Sequence, residues 1–284
     1  MSAKAAGSGR RAGSLSRRDF VGFAAMAATI SVVPRRALGG DGQEAPSDRL
    51  NIAGIGAGGR GAEDLAEVRS QNIVALADVD DAQAAGTFKR FPGAKRYRDF
   101  RKMLEAEEKG IDAVVIAVPD HVHAVATMAA LRMKKPVYCE KPLAHTIHEV
   151  RTVAKAAREA GVATQMGNQG MAFEGNRLIK EWLWAGAIGP VREVHVWSNR
   201  PTYGGKIMWP QGIERPADTP PVPPTLDWDL WLGPAPQRPY HPAYVPFRWR
   251  GWWDFGTGPL GDMGSPNLAP VFSALGLVAP ARVD

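Results

Sequence analysis

The sequence predicts an α/β fold: a doubly wound parallel sheet, followed by an α+β part with an open, mostly antiparallel sheet. Three observations predict it. From residue 50 to about 166, short apolar runs alternate with stretches of helical spacing, as in parallel strands covered on both faces. A glycine-rich turn joins the first apolar run to the first helix. The composition then changes: all nine Trp lie at or after Trp182 and sixteen of the 23 Pro at or after Pro201, so the second half is built differently.

The chain has 284 residues and a formal charge of +6, a balance that would suit an acidic partner such as nucleic acid or a membrane surface. Position removes that reading. Seven basic residues and one acid fall in the first 39 positions, and the remainder carries 28 of each sign. No nucleic-acid partner is therefore expected. The basic segment has its own logic. Arg17-Arg18-Asp19-Phe20 precede an apolar stretch from Val21 to Val33, and Pro34 to Gly39 end in small residues suited to cleavage. A paired-arginine flank, a short apolar core and a small-residue exit make a twin-arginine export signal. Residues 1–39 are assigned to that signal and 40–49 to a polar linker. The expected partner of the signal is the twin-arginine translocation machinery. The expected location is periplasmic or extracellular, with membrane anchoring the alternative if the signal stays uncleaved. A lone cysteine, Cys139, excludes an internal disulfide framework and a multi-cysteine metal site.

Residues 50–170 read as a dinucleotide-binding Rossmann domain. Leu50 to Ile55 is an apolar strand, and Gly56-Ala57-Gly58-Gly59-Arg60-Gly61 fits G-x-G-x-x-G before a helix over Ala62 to Arg69. Gly56 permits the tight turn, Gly58 lets backbone approach a pyrophosphate, and Gly61 lets helix pack on strand. Ile73 to Ala77 is a second strand ending at Asp78, which lies where an acid should hydrogen-bond the adenosine ribose. An acid there repels a 2′-phosphate and favours NAD; Arg60 keeps NADP open. The alternative for Asp78 is a strand-end residue that caps a turn. Helices follow over Ala82 to Arg90 and Phe100 to Glu108, a strand over Ala113 to Val118, a helix over Val122 to Met133 and a strand over Pro136 to Cys139. A helix over Thr146 to Ala160 and a strand over Ala163 to Met166 complete the alternation. Ligands bind at the carboxyl ends of such strands. That rule selects the glycine loop, Pro119-Asp120-His121-Val122-His123, and Glu140-Lys141-Pro142 as cofactor-binding candidates. A metal reading of His121, His123, His145 and His148 lacks a thiolate cluster, and no metal is expected.

These segments carry a resemblance. GIGAGGRG (Gly54 to Gly61), ALADVD (Ala75 to Asp80), VPDHVHA (Val118 to Ala124) and CEKPLAHT (Cys139 to Thr146) resemble the glucose–fructose oxidoreductase/inositol dehydrogenase/MocA family, Gfo/Idh/MocA. QMGNQG (Gln165 to Gly170), LDWDLWLGPAPQRPYHPAY (Leu226 to Tyr244) and FRWRGWWDFGTGPLGDMG (Phe247 to Gly264) resemble its exported, sugar-related branch. The resemblance implies an NAD(P)-dependent oxidoreductase moving a hydride between the cofactor and a sugar or polyol, with Lys141 catalytic. Lysine chemistry suits the role: an ammonium can stabilise the alkoxide character that develops as hydride leaves.

Residues 171–284 are expected to form the substrate and oligomerisation domain. Glu174 to Ala185 is its crossover helix and Val191 to Trp197 its first strand. The Trp/Pro-rich segment from Trp209 to Trp253 reads either as carbohydrate-binding aromatic faces or as a long loop held by its own packing. Asn168, Gln169 and His241 are the polar substrate candidates. The family pattern G-x-L-x-D-x-x-x-H implies a catalytic Asp and His one helical turn apart. Asp262 matches, but Pro266 stands at the histidine position and cannot take a proton. The resemblance also implies a longer second domain, so the chain reads as C-terminally truncated or as a degenerate copy, the full-length form being a homo-oligomer. Two alternatives follow: a glycoside-cleaving enzyme that oxidises its substrate transiently on NAD, and a catalytically impaired nucleotide- or sugar-binding protein.

Overall fold

The structure, a computed structural model, describes residues 48–283. The export-signal segment and most of the linker lie outside the described residues. Six strands form one all-parallel sheet: β1 (Asn51–Ile55), β2 (Asn72–Ala77), β3 (Lys95–Tyr97), β4 (Ala113–Ile116), β5 (Val137–Glu140) and β6 (Thr164–Gly167), in the order β3-β2-β1-β4-β5-β6. The helices between them are α1 (Gly59–Glu67), α2 (Asp81–Arg90), α3 (Phe100–Glu107), α4 (Asp120–Arg132) and α5 (Ile147–Ala160). The strand order reverses direction between β1 and β4, which opens a crevice at their carboxyl ends.

Strand alternation sends side chains to two cores. Ala53, Ile55, Val114 and Ile116 pack on one face with Met103, Leu104, Ala126 and Leu131. Ile52, Leu76 and Val115 pack on the other with Leu65, Ala84 and Phe88. Each fully buried aliphatic side chain contributes roughly 1.5–3 kcal/mol. Helix starts follow local chemistry. Asp80 and Asp99 cap α2 and α3, Thr146 and Glu149 form a capping box on α5, and Gly161 ends α5 in the left-handed region at φ 66.

The predicted parallel sheet is present, with one strand that the apolar runs do not reveal. β3 is a three-residue edge strand, Lys95-Arg96-Tyr97, with no fully buried residue. The second half departs further from expectation. After α6 (Glu174–Trp184), the segment Val191 to Trp197 forms no strand pairing among the described residues, and Trp197 is 81% exposed. Its alternating valines have no neighbouring strand to supply ladder hydrogen bonds, so it is not a strand. The antiparallel sheet of this half is small: β7 (Thr202–Tyr203) with β8 (Lys206–Ile207). The Trp/Pro-rich stretch instead builds a third core, in which Leu226, Trp231, Leu232, Tyr244, Trp249, Trp252 and Phe255 are buried around the short helix α7 (Trp228–Leu232). It docks on the first half by main-chain bonds: Asp81 N donates to Thr225 O and Asp227 N to Val79 O. The long helix α8 (Gly258–Leu275) follows, with Pro266 and Pro270 in its interior.

Candidate functional site

A cavity of about 560 Å³ opens at the carboxyl ends of β2, β1, β4 and β5 and is roofed by the third core. Small-molecule sites span roughly 300–1,000 Å³.

The glycine loop forms its floor. Gly56 has φ +84, and a Cβ there would lie 2.3 Å from Ala117 O. A Cβ on Gly61 would lie 1.9 Å from Gly56 O, so only glycine lets α1 pack on the turn. Gly58 is closed in by Gln83 of α2, 3.0 Å from where its Cβ would be. Gly58 N-caps α1 without a side-chain cap, and Gly58, Gly59 and Arg60 all line the cavity. Asp78 braces the loop. Its Oδ2 accepts from Ala57 N at 2.8 Å and Gly58 N at 3.0 Å, and its Oδ1 accepts from Asp80 N at 2.9 Å. Burial raises the Asp78 carboxyl above its ordinary value, against the pull of these three donors. Turn bracing and cavity lining thus coexist in one residue.

Arg60 is engaged by three carboxylates, none of them Asp78. Its Nε lies 3.1 Å from Asp64 Oδ1 and 3.5 Å from Glu140 Oε1, and its Nη1 lies 2.6 Å from Glu63 Oε2. Glu140 ends β5, on the side of β1 opposite to β2, where Asp78 sits. Gln169 Nε2 donates to Glu140 Oε1 and, at 2.7 Å, to Tyr138 Oη. Burial, reinforced by Glu140, pushes the Asp64 carboxyl up to about 7; burial and the same glutamate push the Tyr138 hydroxyl up to about 12.

At the other end of the cavity Lys141 meets Asp262. Lys141 Nζ lies 3.0 Å from Asp262 Oδ1 and also donates to the Asp262 main-chain carbonyl. In an α-helix that carbonyl accepts from the residue four positions on. Here that residue is Pro266, which has no N–H, so the carbonyl is left to Lys141. Two arginines complete the cluster, with Arg200 Nε 3.3 Å from Asp262 Oδ2 and Arg250 Nε 3.6 Å from Asp262 Oδ1.

The remaining candidates divide. Pro119, Asp120, His123, Glu140 and Gln169 line the cavity. Asp120 Oδ2 accepts from Thr257 N at 3.0 Å and Thr257 Oγ1 at 2.6 Å. His123 Nδ1 faces Pro142 O, and its buried Nε2 has no hydrogen-bond partner among the described residues. Gly61, His121 and Pro142 do not line the cavity. His121 corrects the expectation of a cofactor contact: its ring nitrogens face Phe255 O at 3.2 Å and Trp231 O at 3.1 Å, between those two aromatic rings. Burial pushes it down to about 4, so it packs as a neutral imidazole. The substrate candidates Asn168 and His241 are not cavity residues either. Asn168 Nδ2 donates to Ser265 O at 3.4 Å, while His241 Nε2 lies 3.3 Å from Asp218 and its Nδ1 accepts from Ala243 N. Among the described residues no group of three or more His, Cys, Asp or Glu is placed to hold a metal ion. Sequence reasoning assigned no role to Arg200 or Arg250; the only signal was their place in the segment around the second domain's motifs. Trp231, Trp249 and Phe247 line the cavity, yet Trp231 and Trp249 are buried, so packing claims most of their surface.

Comparison with known proteins accounts for both halves. A family model described as "Oxidoreductase family, NAD-binding Rossmann fold" matches residues 50–168, and one described as "Oxidoreductase family, C-terminal alpha/beta domain" matches residues 176–283. Inositol 2-dehydrogenase of Rubrobacter xylanophilus is 35% identical over 148 residues, covering 50% of this chain and 42% of that protein. Inositol 2-dehydrogenase 2 of Saccharopolyspora erythraea is 32% identical over 151 residues, covering 51% and 44%. The chain therefore spans a little under half the length of these curated relatives. The crystal structure of an NAD binding oxidoreductase from Klebsiella pneumoniae superposes with a TM-score of 0.52 at 27% identity, over 80% of this chain and 54% of that one.

Proposed function

The chain belongs to the Gfo/Idh/MocA oxidoreductase family, and from that premise we propose that it transfers hydride between NAD and a sugar or polyol. The observation that carries the reading is one cavity with a braced glycine loop at one end and the Lys141–Asp262 pair at the other. The relatives named inositol dehydrogenases support a polyol as substrate.

The residues present fit the dinucleotide. Gly56 and Gly61 keep the turn clear of side chains, and the uncapped start of α1 offers N–H groups for a pyrophosphate. Asp78 Oδ1 accepts a single protein N–H and so retains acceptor capacity for a ribose hydroxyl. Arg60 is committed to Glu63, Asp64 and Glu140, away from the strand end where a 2′-phosphate would lie, which favours NAD over NADP. When bound, the nicotinamide supplies the hydride acceptor or donor. The Lys141 ammonium stabilises the developing alkoxide by hydrogen bonding. Asp262, bonded to the same ammonium, is the carboxylate toward which the hydroxyl proton moves. Incubation with NAD and a panel of sugars and cyclic polyols, myo-inositol included, tests this by the absorbance of reduced nicotinamide. Turnover lost in Lys141→Met supports the role of Lys141; equal turnover in that variant removes it.

Pro266 favours a second reading, a nucleotide- and sugar-binding protein with little turnover, because the helix lacks the family's proton acceptor. Turnover by the chain with Pro266 in place would set that reading aside, and turnover gained only in Pro266→His would support it. For location, the sequence of residues 1–39 supports export through the twin-arginine route. Replacement of Arg17 and Arg18 by Lys should retain a reporter fusion in the cytoplasm, and continued export would refute the assignment.

A further inference from the structure

The cluster around Asp262 has an uneven charge count. Lys141, Arg200 and Arg250 converge on it, and the carboxylates that face them are Asp262 and Asp120. Three cations against two anions leave one positive charge uncompensated. Further along the cavity Glu63, Asp64 and Glu140 gather around Arg60 instead, so the positive excess is local to the Asp262 end.

Arg250 is the group on which that excess falls. Its Cζ lies over two rings, 4.0 Å from the Phe247 centroid and 4.1 Å from the Trp249 centroid. These contacts hold the group in place, and burial works against its charge. Its Nη1 donates to Phe247 O at 3.1 Å, and its nearest carboxylate oxygen stands at 3.6 Å, beyond hydrogen-bond range. Five donors therefore have fewer acceptors than they need. Arg250, Phe247 and Trp249 all line the cavity, so the open donors border the space a substrate would fill. A fixed, under-satisfied guanidinium is matched by a carboxylate, which takes two parallel N–H bonds.

We propose that the substrate is an acidic sugar, a hexuronate or a related sugar carboxylate, whose carboxylate is received by Arg250 while its hydroxyls face Lys141 and Asp262. The inference rests on the oxidoreductase reading of the same cavity and goes beyond it by naming the charge of the substrate. One uncompensated charge fits one carboxylate; a phosphate monoester would bring nearly two.

The test is a calorimetric titration of the full chain saturated with NAD. The ligands are glucose, galactose and mannose, each paired with its hexuronate, together with glucose 6-phosphate. The expected result is that at least one hexuronate binds about tenfold or more tightly than its neutral partner, the worth of a charge-assisted hydrogen bond. Its affinity should fall with added salt, a readout that needs no variant. Arg250→Met should reduce the hexuronate to the affinity of its partner, and Arg250→Lys should recover part of the difference. Equal or tighter binding of the neutral sugars, tightest binding of glucose 6-phosphate, or no binding by any ligand while NAD binds would each overturn the proposal and leave the NAD reading standing. Failure to bind NAD would instead remove the reading beneath it.

Discussion

Lys141 Nζ donates to both the carboxylate and the main-chain carbonyl of Asp262, 121 residues along the chain. The second bond exists because Pro266 leaves that carbonyl without its helical partner. The proline that interrupts the helix thus also supplies a second acceptor for the lysine.

Pro266→Ala should restore the N–H of residue 266 and return the Asp262 carbonyl to the helix. The helix gains by roughly 2–3 kcal/mol from losing an interior proline, offset by about 1 kcal/mol from the loosened lysine bond. A higher thermal midpoint is expected. An unchanged or lower midpoint would show that Lys141, not the helix, is the better partner for the carbonyl.

The glycine loop separates two kinds of glycine requirement. Gly61→Ala places a methyl group against Gly56 O and should cost about 3 kcal/mol or more. Gly59→Ala meets no atom within 4 Å and carries only the cost of φ +47, about 1 kcal/mol. Denaturant unfolding of the two variants should rank them in that order; similar losses would contradict the packing of α1 on the turn.

Two buried groups should tilt stability with pH in opposite directions. The Asp64 carboxyl, beside Glu140, titrates at about 7 in the folded chain against an ordinary value of 3.8. Folding therefore retains a proton, and this contribution is present below pH 3.8 and lost as pH rises through about 7. His121 runs the other way. Its folded value near 4 lies below 6.5, so its contribution is present above pH 6.5 and lost as pH falls toward 4. Asp64→Asn should flatten the stability profile on the approach to pH 7 and stabilise the chain above it. His121→Gln should flatten the acid limb between 6.5 and 4. Profiles parallel to that of the parent chain would contradict both assignments.

The parallel sheet was legible because strands buried on both faces are continuous apolar runs, as in Ala113–Ile116. β3 was not, since its Lys95 and Arg96 are solvent-facing and only backbone pairing with β2 defines it. Val191 to Trp197 shows the converse: an alternating pattern marks a capacity to pair, and pairing needs a neighbour. In the site, Lys141 and Asp262 stood out through motifs, and no local pattern linked them. Arg250 lies in a Trp-rich stretch without periodicity, and its importance arises from rings and carboxylates that only the folded chain brings to it. His121 and His123 look alike in sequence, yet one is packed between two aromatic rings of the third core, its neutral ring able to donate to one of the two carbonyls it faces, and the other lines the cavity with one nitrogen unpartnered among the described residues.

Asp78 braces the glycine loop, and the proposed cofactor binding turns on it as the acceptor for a ribose hydroxyl. Isothermal titration of the chain with NAD and with NADP tests that role most directly. NAD should bind, NADP should bind at least about tenfold more weakly, and Asp78→Ala should abolish NAD binding while the chain remains folded. No heat with either nucleotide, or NAD binding undiminished in Asp78→Ala, would contradict it.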